Sequence, residues 1–231
     1  MLWFIFLLCI ISSSYAHTPS LISQWKKNAS EPEKLLPVYL SYENKKRSLA
    51  GCDMGNTTFL PGVYETKWSH NFSGAHFGQQ FACWSTSLYL DNQCMSFKRR
   101  KYCERFNEQF GYVEADFYNL WPEIGIENQT YPNELGVLTQ GRDCFGCVNK
   151  NDKSHLEPTD SVKGVIARTY LFMNEHYGLS LSPSQKKLFI AWNKAFKPQA
   201  WEKQWALQVA LIEGYKDSYI THWQVKAHVA L

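Results

Sequence analysis

Gly164-Val-Ile-Ala-Arg-Thr-Tyr170 lies within a stretch of sequence in which mostly apolar residues recur every three or four positions. That period is typical of a helix with one buried face. We expect the helix to begin with Asp160 or Ser161 as its N-cap and to end at Gly178, a residue type that favours helix C-termini. The predicted buried face consists of Val162, Val165, Ile166, Thr169, Met173 and Tyr177. Two further segments with the same helical period follow, so this segment is the first of three predicted helices in the C-terminal half.

The two following segments also predict helices. Ser182-Pro183 opens the first, which should end before Pro198, and Gly214 should close the second. Their apolar stripes are Leu188, Phe189, Trp192 and Phe196 in the first, and Trp201, Trp205, Val209 and Ile212 in the second. We expect these stripes to be core rather than a surface for stacking nucleic-acid bases, so the C-terminal half is predicted to be helical.

The N-terminal half has a different composition. Residues 51–92 are rich in Gly, Asn, Thr and Ser with scattered aromatic side chains, which favours short strands and loops. An alternating pattern over 64–70 predicts a strand that runs up to His70. Further on, apolar residues at spacings of three and four predict a helix from Phe110 to near Trp121-Pro122, and residues 121–159 predict a loop. The predicted fold class is α+β.

Composition and the first residues indicate an exported globular protein. The 231-residue chain is 45% hydrophobic and 19% charged, which excludes an intrinsically disordered protein. Its net charge of +3 neither establishes nor excludes a nucleic-acid partner. Residues 1–16 contain an uncharged apolar run, Leu2 to Ile11, followed by Ser12, Ser13, Ser14, Tyr15 and Ala16, which predicts a signal peptide. We expect a single domain over residues 17–231 and no membrane association after cleavage.

Cysteine content supports export. Removal of the signal peptide would leave Cys52, Cys83, Cys94, Cys103, Cys144 and Cys147. An even number of cysteines in an exported chain favours disulfides, and six cysteines allow 15 pairings among which the sequence does not choose. Cys144-Phe-Gly-Cys147 also has the spacing of a redox pair or half a zinc site, although no second pair accompanies it.

Two segments carry the candidate chemistry, Lys67-Trp-Ser-His70 and Glu114-Ala-Asp-Phe-Tyr-Asn-Leu-Trp-Pro122. The segments that accompany them, in chain order, are Gly51-Cys-Asp53, Phe77-Gly78, Cys83-Trp84, Arg100-Lys-Tyr-Cys103, Ile124-Gly125, Gly164–Tyr170, Tyr177-Gly178, Leu181-Ser182 and Ala191-Trp-Asn-Lys194. Together they resemble the bacterial endonuclease I family of periplasmic and secreted nonspecific nucleases, which is built on a ββα-metal (His-Me finger) site. The resemblance extends from about Gly51 to Trp201.

The resemblance implies three site residues. His70 would be the general base that activates water, since neutral imidazole is well suited to accept a proton near pH 7. Asn119 would hold a divalent metal ion through its amide oxygen, a donor that suits Mg²⁺, with Mn²⁺ or Ca²⁺ as alternatives. Arg100 would bind the scissile phosphate with its planar fork of donors. The implied partner is the DNA and/or RNA backbone, and the protein is expected to be a monomer.

The site also departs from the family. The residue before the family's histidine is a metal-binding glutamate, and here it is Ser69, a weak substitute for a carboxylate. Glu65, Asp53 or Asp116 are candidates to compensate, although no spacing places them at the ion. Tyr118 stands where the family has a histidine. Loss of a metal-supporting group typically lowers metal affinity or activity by about ten- to a hundredfold.

Three functional hypotheses follow. The first, which the retention of His70, Arg100 and Asn119 favours, is an active metal-dependent endonuclease. The second is a weakened or inactive nuclease-derived protein that binds nucleic acid or another partner. The third is an exported, disulfide-stapled scaffold unrelated to nucleic acid. The run Lys98-Arg-Arg-Lys101 would contact phosphate under either of the first two, or would be a solvated loop.

The expected location is the bacterial periplasm or the medium. Four Asn-x-Ser/Thr sequons, at Asn28, Asn56, Asn71 and Asn128, would fit a glycosylated eukaryotic protein. A glycan at Asn71 would lie beside the proposed base, however, so we favour a bacterial, unglycosylated protein.

Overall fold

The computed structural model describes residues 42–43, 46–47, 66–90, 95–124, 134–137, 142–144, 147–151 and 155–227. The predicted signal peptide, residues 1–16, and two of the candidate compensating acids, Asp53 and Glu65, lie outside the described residues. Within the described ranges, no helix combines the length and the apolar character that a membrane crossing requires.

Short strands and helices make up the N-terminal half. The strands are β1 (Tyr42–Glu43), β2 (Lys46–Arg47), β3 (Thr66–His70), β4 (Ser87–Leu90), β5 (Met95–Lys98), β6 (Leu120–Ile124), β7 (Glu134–Leu135), β8 (Arg142–Cys144), β9 (Cys147–Asn151) and β10 (His155–Glu157). The helices among them are α1 (Gly74–Gly78), α2 (Arg100–Phe106) and α3 (Glu108–Ala115), with 3₁₀ turns at Ala82–Trp84 and Phe117–Asn119. The predicted strand ending at His70 is thereby confirmed for residues 66–70.

Antiparallel pairing dominates the sheets. β1 pairs with β2, β4 with β5, and β3 with β6, while the larger sheet has the order β7-β10-β9-β8 with only β7 and β10 parallel. The β3–β6 pair brings the two chemistry-bearing segments together, since its register sets Ser69 opposite Trp121 and His70 opposite Leu120.

The predicted helix from Phe110 to near Trp121 is wrong in its second half. The helix ends at Ala115, because the Asp116 side chain accepts a hydrogen bond from the Tyr118 amide at 2.7 Å and caps a 3₁₀ turn instead. Leu120 then enters strand β6. The loop predicted for residues 121–159 is also wrong where the structure describes it, because the short strands β6 to β10 form there. β6 pairs with the distant β3 and β7 with β10, while β8, β9 and β10 pair as successive antiparallel strands.

The C-terminal half is helical, as predicted. It comprises α4 (Asp160–Tyr177), α5 (Pro183–Ala195), α6 (Ala200–Glu213), α7 (Ser218–Thr221) and α8 (Trp223–Lys226). Ser182 caps α5 by accepting from the Gln185 amide at 3.2 Å. Gly178 and Gly214 end α4 and α6 with φ of 69° and 79°, a left-handed conformation that glycine adopts without strain. The expected N-cap of α4 is wrong by one position, because Thr159 occupies it.

The apolar stripes form the core, as expected. Phe189, Trp192, Trp205 and Val209 are buried, and so is Met173. An aromatic stack joins this core to the segment that follows His70. The Tyr170 ring stacks between Phe72 and Phe189, at centroid distances of 4.6 and 4.4 Å. The helical half therefore supports the candidate site directly.

A buried ion pair ties the C-terminal helices together. Arg168 of α4 donates through Nε and Nη2 to the two carboxylate oxygens of Glu202 on α6, at 2.6 and 2.7 Å, and through Nη1 to the Phe196 carbonyl at 2.6 Å. Both charged side chains are excluded from solvent. Removing one partner of such a pair leaves an uncompensated buried charge, so these two residues hold α4 and α6 in a fixed relation.

Candidate active site

His70 lies at the end of β3 with one ring nitrogen already engaged. Its Nε2 is 2.7 Å from the backbone carbonyl oxygen of Glu114. A carbonyl only accepts hydrogen bonds, so Nε2 carries the hydrogen, and in the neutral ring Nδ1 carries the lone pair. The ring is half-buried and meets the edge of Phe77 at a centroid distance of 6.0 Å. His70 is thus held in the tautomer that a base acting through Nδ1 requires.

Asn119 clamps the backbone just beyond His70. Its Oδ1 accepts from the Phe72 amide at 2.8 Å, and its Nδ2 donates to the Phe72 carbonyl at 3.1 Å. The Asn119 carbonyl accepts from the Asn71 amide at 3.0 Å. Asn119 is fully buried and lies in a 3₁₀ turn rather than in the helix that the sequence predicted from Phe110 to near Trp121. The turn and the clamp place it beside the segment that follows the proposed base.

Arg100, the first residue of α2, is held through one nitrogen. Its Nε donates to Glu104 Oε1 at 2.9 Å and also makes an ion pair with Glu114 Oε1. Its side chain is 53% exposed. No described residue accepts a hydrogen bond from its terminal nitrogens, Nη1 and Nη2. The guanidinium is therefore oriented from one side and can present its outer edge to an anion.

Glu114 connects the arginine to the histidine. Its backbone carbonyl accepts from His70, and its carboxylate lies against Arg100 without the alignment of a hydrogen bond. Burial raises the pKa of Glu114 to about 7, although the Arg100 charge opposes that shift, while the neighbouring Glu104 adds to it. No sequence motif marks a role for Glu104 or for the Glu114 carboxylate. The spacing of four between Arg100 and Glu104 is the signal that could have identified Glu104.

A disulfide anchors α2. Cys83 of the 3₁₀ turn at 82–84 is bonded to Cys103, so the expectation of disulfides is confirmed for these two cysteines. Cys52 and Cys94 lie outside the described residues. The backbone positions of Cys144 and Cys147 lie opposite each other in the register of the β8–β9 hairpin. Because Cys103 is in the middle of α2, the bond fixes the helix that carries Arg100.

The run Lys98-Arg-Arg-Lys101 is exposed where β5 passes into α2. Arg99 has φ of 50° and ψ of −124°, and no other described non-glycine residue has a positive φ. L-residues rarely adopt this conformation, because the Cβ atom collides with the backbone. The chain therefore turns sharply at Arg99 before the helix begins.

The described residues offer few ligands for a metal. They contain no group of three or more His, Cys, Asp and Glu side chains that could hold an ion. Asn119 Oδ1 accepts one hydrogen bond, from Phe72, and a carbonyl oxygen has a second lone pair. An amide oxygen suits a hard cation, but the Asn119 side chain is fully buried, so an ion would have to reach Oδ1 inside the fold.

Asp116 belongs to a second, structural cluster rather than to this site. Its Oδ2 accepts from the hydroxyls of Tyr177 and Tyr215, each at 2.8 Å. Glu213 completes the cluster, since its Oε2 lies 3.2 Å from the Tyr215 hydroxyl oxygen and its Oε1 accepts from the Phe117 amide at 2.9 Å. Burial, reinforced by the Glu213 charge, raises the pKa of Asp116 to about 7. These contacts engage Asp116 in holding the 3₁₀ turn against α4 and α6.

Tyr118 also has a structural role. It is buried, and its hydroxyl donates to the Ala206 carbonyl at 3.0 Å. Asn71, one of the sequon residues, is half-buried and its Nδ2 is 3.5 Å from Thr169 Oγ1. The other sequon asparagines lie outside the described residues.

His70 and Arg100 both contact Glu114, one through its main-chain carbonyl and the other through its carboxylate, and a base and a guanidinium are groups compatible with hydrolysis of phosphate esters. The comparison with known proteins agrees with this class. Residues 67–224 match the endonuclease I family, and the chain belongs to that family.

Three named relatives are similar over most of the chain. An extracellular deoxyribonuclease of Aeromonas hydrophila is 29% identical over 188 residues, 78% of each chain. A periplasmic deoxyribonuclease of the same organism is 30% identical over 67% of this chain and 62% of its own length. Endonuclease-1 of Buchnera aphidicola subsp. Acyrthosiphon pisum is 30% identical over 85% of this chain and 69% of its own length. The protein is accordingly a hydrolase of the nuclease class, and it is periplasmic or secreted.

Proposed function

We propose that the mature protein is a metal-dependent endonuclease that hydrolyses phosphodiester bonds of DNA and/or RNA without sequence specificity. The observation that carries the proposal is the contact between His70 Nε2 and the Glu114 carbonyl, at 2.7 Å. It assigns the lone pair to Nδ1 and orients the ring. The relatives named as deoxyribonucleases support DNA as one substrate.

In the proposed reaction His70 is the general base. Nδ1 takes a proton from a water molecule while the water oxygen attacks phosphorus and the bond from phosphorus to the departing sugar oxygen breaks. The departing oxygen takes a proton from solvent. The imidazolium formed on His70 keeps its Nε2–H bond to the Glu114 carbonyl, which stabilises the new positive charge. Arg100 binds the phosphate through Nη1 and Nη2 while Glu104 holds its Nε.

Asn119 would hold the divalent ion through the second lone pair of Oδ1. An ion such as Mg²⁺, with Mn²⁺ or Ca²⁺ as alternatives, supplies positive charge against the charge that develops on the phosphate and on the departing oxygen. We further infer that β3, β6 and the turn bearing Asn119 form a ββα-metal site, and that the protein acts as a monomer.

Ser69 favours a second candidate, a protein that binds nucleic acid and cuts it slowly or not at all. A serine hydroxyl is uncharged, and the described residues lack a cluster of three metal-binding side chains. In this case Arg100 would still bind phosphate, but the ion would be held too weakly to support fast hydrolysis.

Degradation of plasmid DNA and of RNA by the mature, oxidised protein distinguishes the candidates. The reactions contain Mg²⁺, Mn²⁺, Ca²⁺ or EDTA and compare wild type with His70→Ala, Ser69→Glu and the control His222→Ala, an exposed histidine of the C-terminal segment. Cleavage that requires a metal, is lost in His70→Ala and persists in His222→Ala supports the endonuclease. Wild type that is inert with every metal while Ser69→Glu cuts supports the second candidate. Cleavage retained by His70→Ala refutes the assigned base.

A further inference from the structure

Arg99 occupies a backbone conformation that suits glycine. Its φ of 50° and ψ of −124° are the mirror image of the ordinary extended region, which glycine enters readily and other residues enter at a cost in stability. Costly backbone conformations that a folded protein retains tend to occur at binding and catalytic sites. The identity of the side chain at this position therefore calls for an explanation.

The fold does not supply one. Among the described residues, none accepts a hydrogen bond or an ion pair from the Arg99 guanidinium, and the side chain is exposed. The backbone contact of Arg99 is its carbonyl, which accepts from the Cys103 amide at 2.9 Å and starts α2. Any residue can provide that carbonyl, and glycine would do so without strain.

The position of Arg99 is well defined. It directly precedes Arg100, and consecutive Cα atoms are about 3.8 Å apart. The disulfide between Cys83 and Cys103 fixes the helix that follows, and the pairing of β4 with β5 fixes the strand before. The sharp turn at Arg99 thus fixes the backbone position from which a second exposed arginine side chain extends, next to that of Arg100.

We propose that Arg99 is a binding residue for the phosphate backbone of nucleic acid, outside the scissile phosphate that Arg100 holds. The inference rests on the proposed function, since it takes Arg100 as the ligand of the scissile phosphate. A guanidinium fits phosphate oxygens with two parallel donors. A contact of this kind adds affinity and orients the strand but carries no base preference.

The test is binding of a fluorescent DNA duplex and of an RNA strand to the mature, oxidised protein in EDTA, over a range of salt concentrations. The variants are Arg99→Gln, Arg99→Lys and Arg99→Gly, and the control is Lys187→Gln, which removes an exposed positive charge from α5. We expect Arg99→Gln to reduce the slope of log K against log salt on the duplex by about 0.9, the value for one lost phosphate contact. We expect Arg99→Lys and Lys187→Gln to keep the wild-type slope.

Arg99→Gly tests the role of the side chain and the cost of the backbone conformation separately, because it removes the guanidinium and also relieves the strain of the positive φ. It should reduce the slope as Arg99→Gln does, while its Tm rises by about 2–4 °C, the shift that a stabilisation of 1 kcal/mol gives in a chain of this size. A wild-type slope in Arg99→Gln, or no binding of either nucleic acid by wild type, overturns the proposal. A fall in Tm for Arg99→Gly overturns the argument from strain.

Cleavage assays on the same preparations keep the two proposals apart. If wild type cuts neither substrate with any metal but Arg99→Gln reduces the slope of log K against log salt, the endonuclease proposal fails and the Arg99 proposal stands. If wild type cuts and Arg99→Gln binds with an unchanged slope, the endonuclease stands and the Arg99 contact fails.

Discussion

Asp116 makes the stability of this protein depend on pH. Its carboxyl is buried, accepts from two tyrosine hydroxyls and lies near Glu213, and burial raises its pKa from 3.8 to about 7. A carboxyl whose pKa is higher in the folded state binds its proton more tightly there than in the unfolded chain. The stabilisation is therefore complete below the unfolded pKa, near 4, and is lost as pH rises through the folded value, near 7.

The size of the effect follows from the same two values. Each pKa unit corresponds to about 1.4 kcal/mol, so the interval from 3.8 to about 7 is worth on the order of 4 kcal/mol of unfolding free energy. Burial also raises the pKa of Glu213, which acts in the same direction. Asp116→Asn removes the titration but keeps an oxygen that can accept from the Tyr118 amide.

Urea unfolding of wild type and Asp116→Asn, at intervals from about pH 4 to pH 8, measures this difference. We expect wild type to lose stability relative to Asp116→Asn as pH rises, by several kcal/mol over the whole interval. Asp160→Asn, a change at an acid whose side chain is 74% exposed and pairs with Lys163 Nζ at 2.7 Å, serves as the control, and its difference from wild type should vary with pH by much less than that of Asp116→Asn. Parallel curves for wild type and Asp116→Asn would refute the reasoning.

Three further substitutions test packing and hydrogen bonding, with urea unfolding as the measurement. Asn119→Ala leaves the amide and the carbonyl of Phe72 buried without partners, and should cost about 2–5 kcal/mol, whereas a loss below 1 kcal/mol would contradict the clamp. Arg168→Ala leaves the buried Glu202 carboxylate without its ion-pair partner and should lower the free energy of unfolding by about 3–5 kcal/mol. An unchanged free energy of unfolding would contradict the pairing. Gly164→Ala would place a Cβ 2.4 Å from the Phe196 carbonyl oxygen and should cost about 1–3 kcal/mol, while a stabilised variant would show that α5 can move away.

The helical half was predictable because its information is local. Ser182-Pro183, Gly178 and Gly214 mark helix ends through their own backbone preferences, and the stripes between them bury one face. The segment from Asp116 to Leu120 was not predictable in the same way. Phe117 and Leu120 fit a helical period, but the contacts that settle their structure come from Glu213 and from strand β3, far away in sequence.

The proposed site residues could be named from the sequence, whereas the contacts that hold them could not. His70, Arg100 and Asn119 could be named from the motifs. The hydrogen bonds that hold His70 and Asn119 use main-chain atoms, however, and the motifs give no information on main-chain contacts. These atoms are the carbonyl oxygen of Glu114 and the backbone amide and carbonyl of Phe72. The conformation of Arg99 could not be read from sequence, because arginine is a residue type that would ordinarily argue against a positive φ.

The two contacts of Glu114 differ in how they respond to mutation. The bond to His70 uses a main-chain atom, so substitutions at position 114 that preserve the backbone leave the orientation of the imidazole unchanged. The contact with Arg100 uses the side chain, and substitution removes it. Sequence changes at position 114 would therefore leave the hydrogen bond to His70 in place and remove the ion pair with Arg100. Under the proposed roles, the orientation of the base would persist in a variant whose arginine had lost this contact.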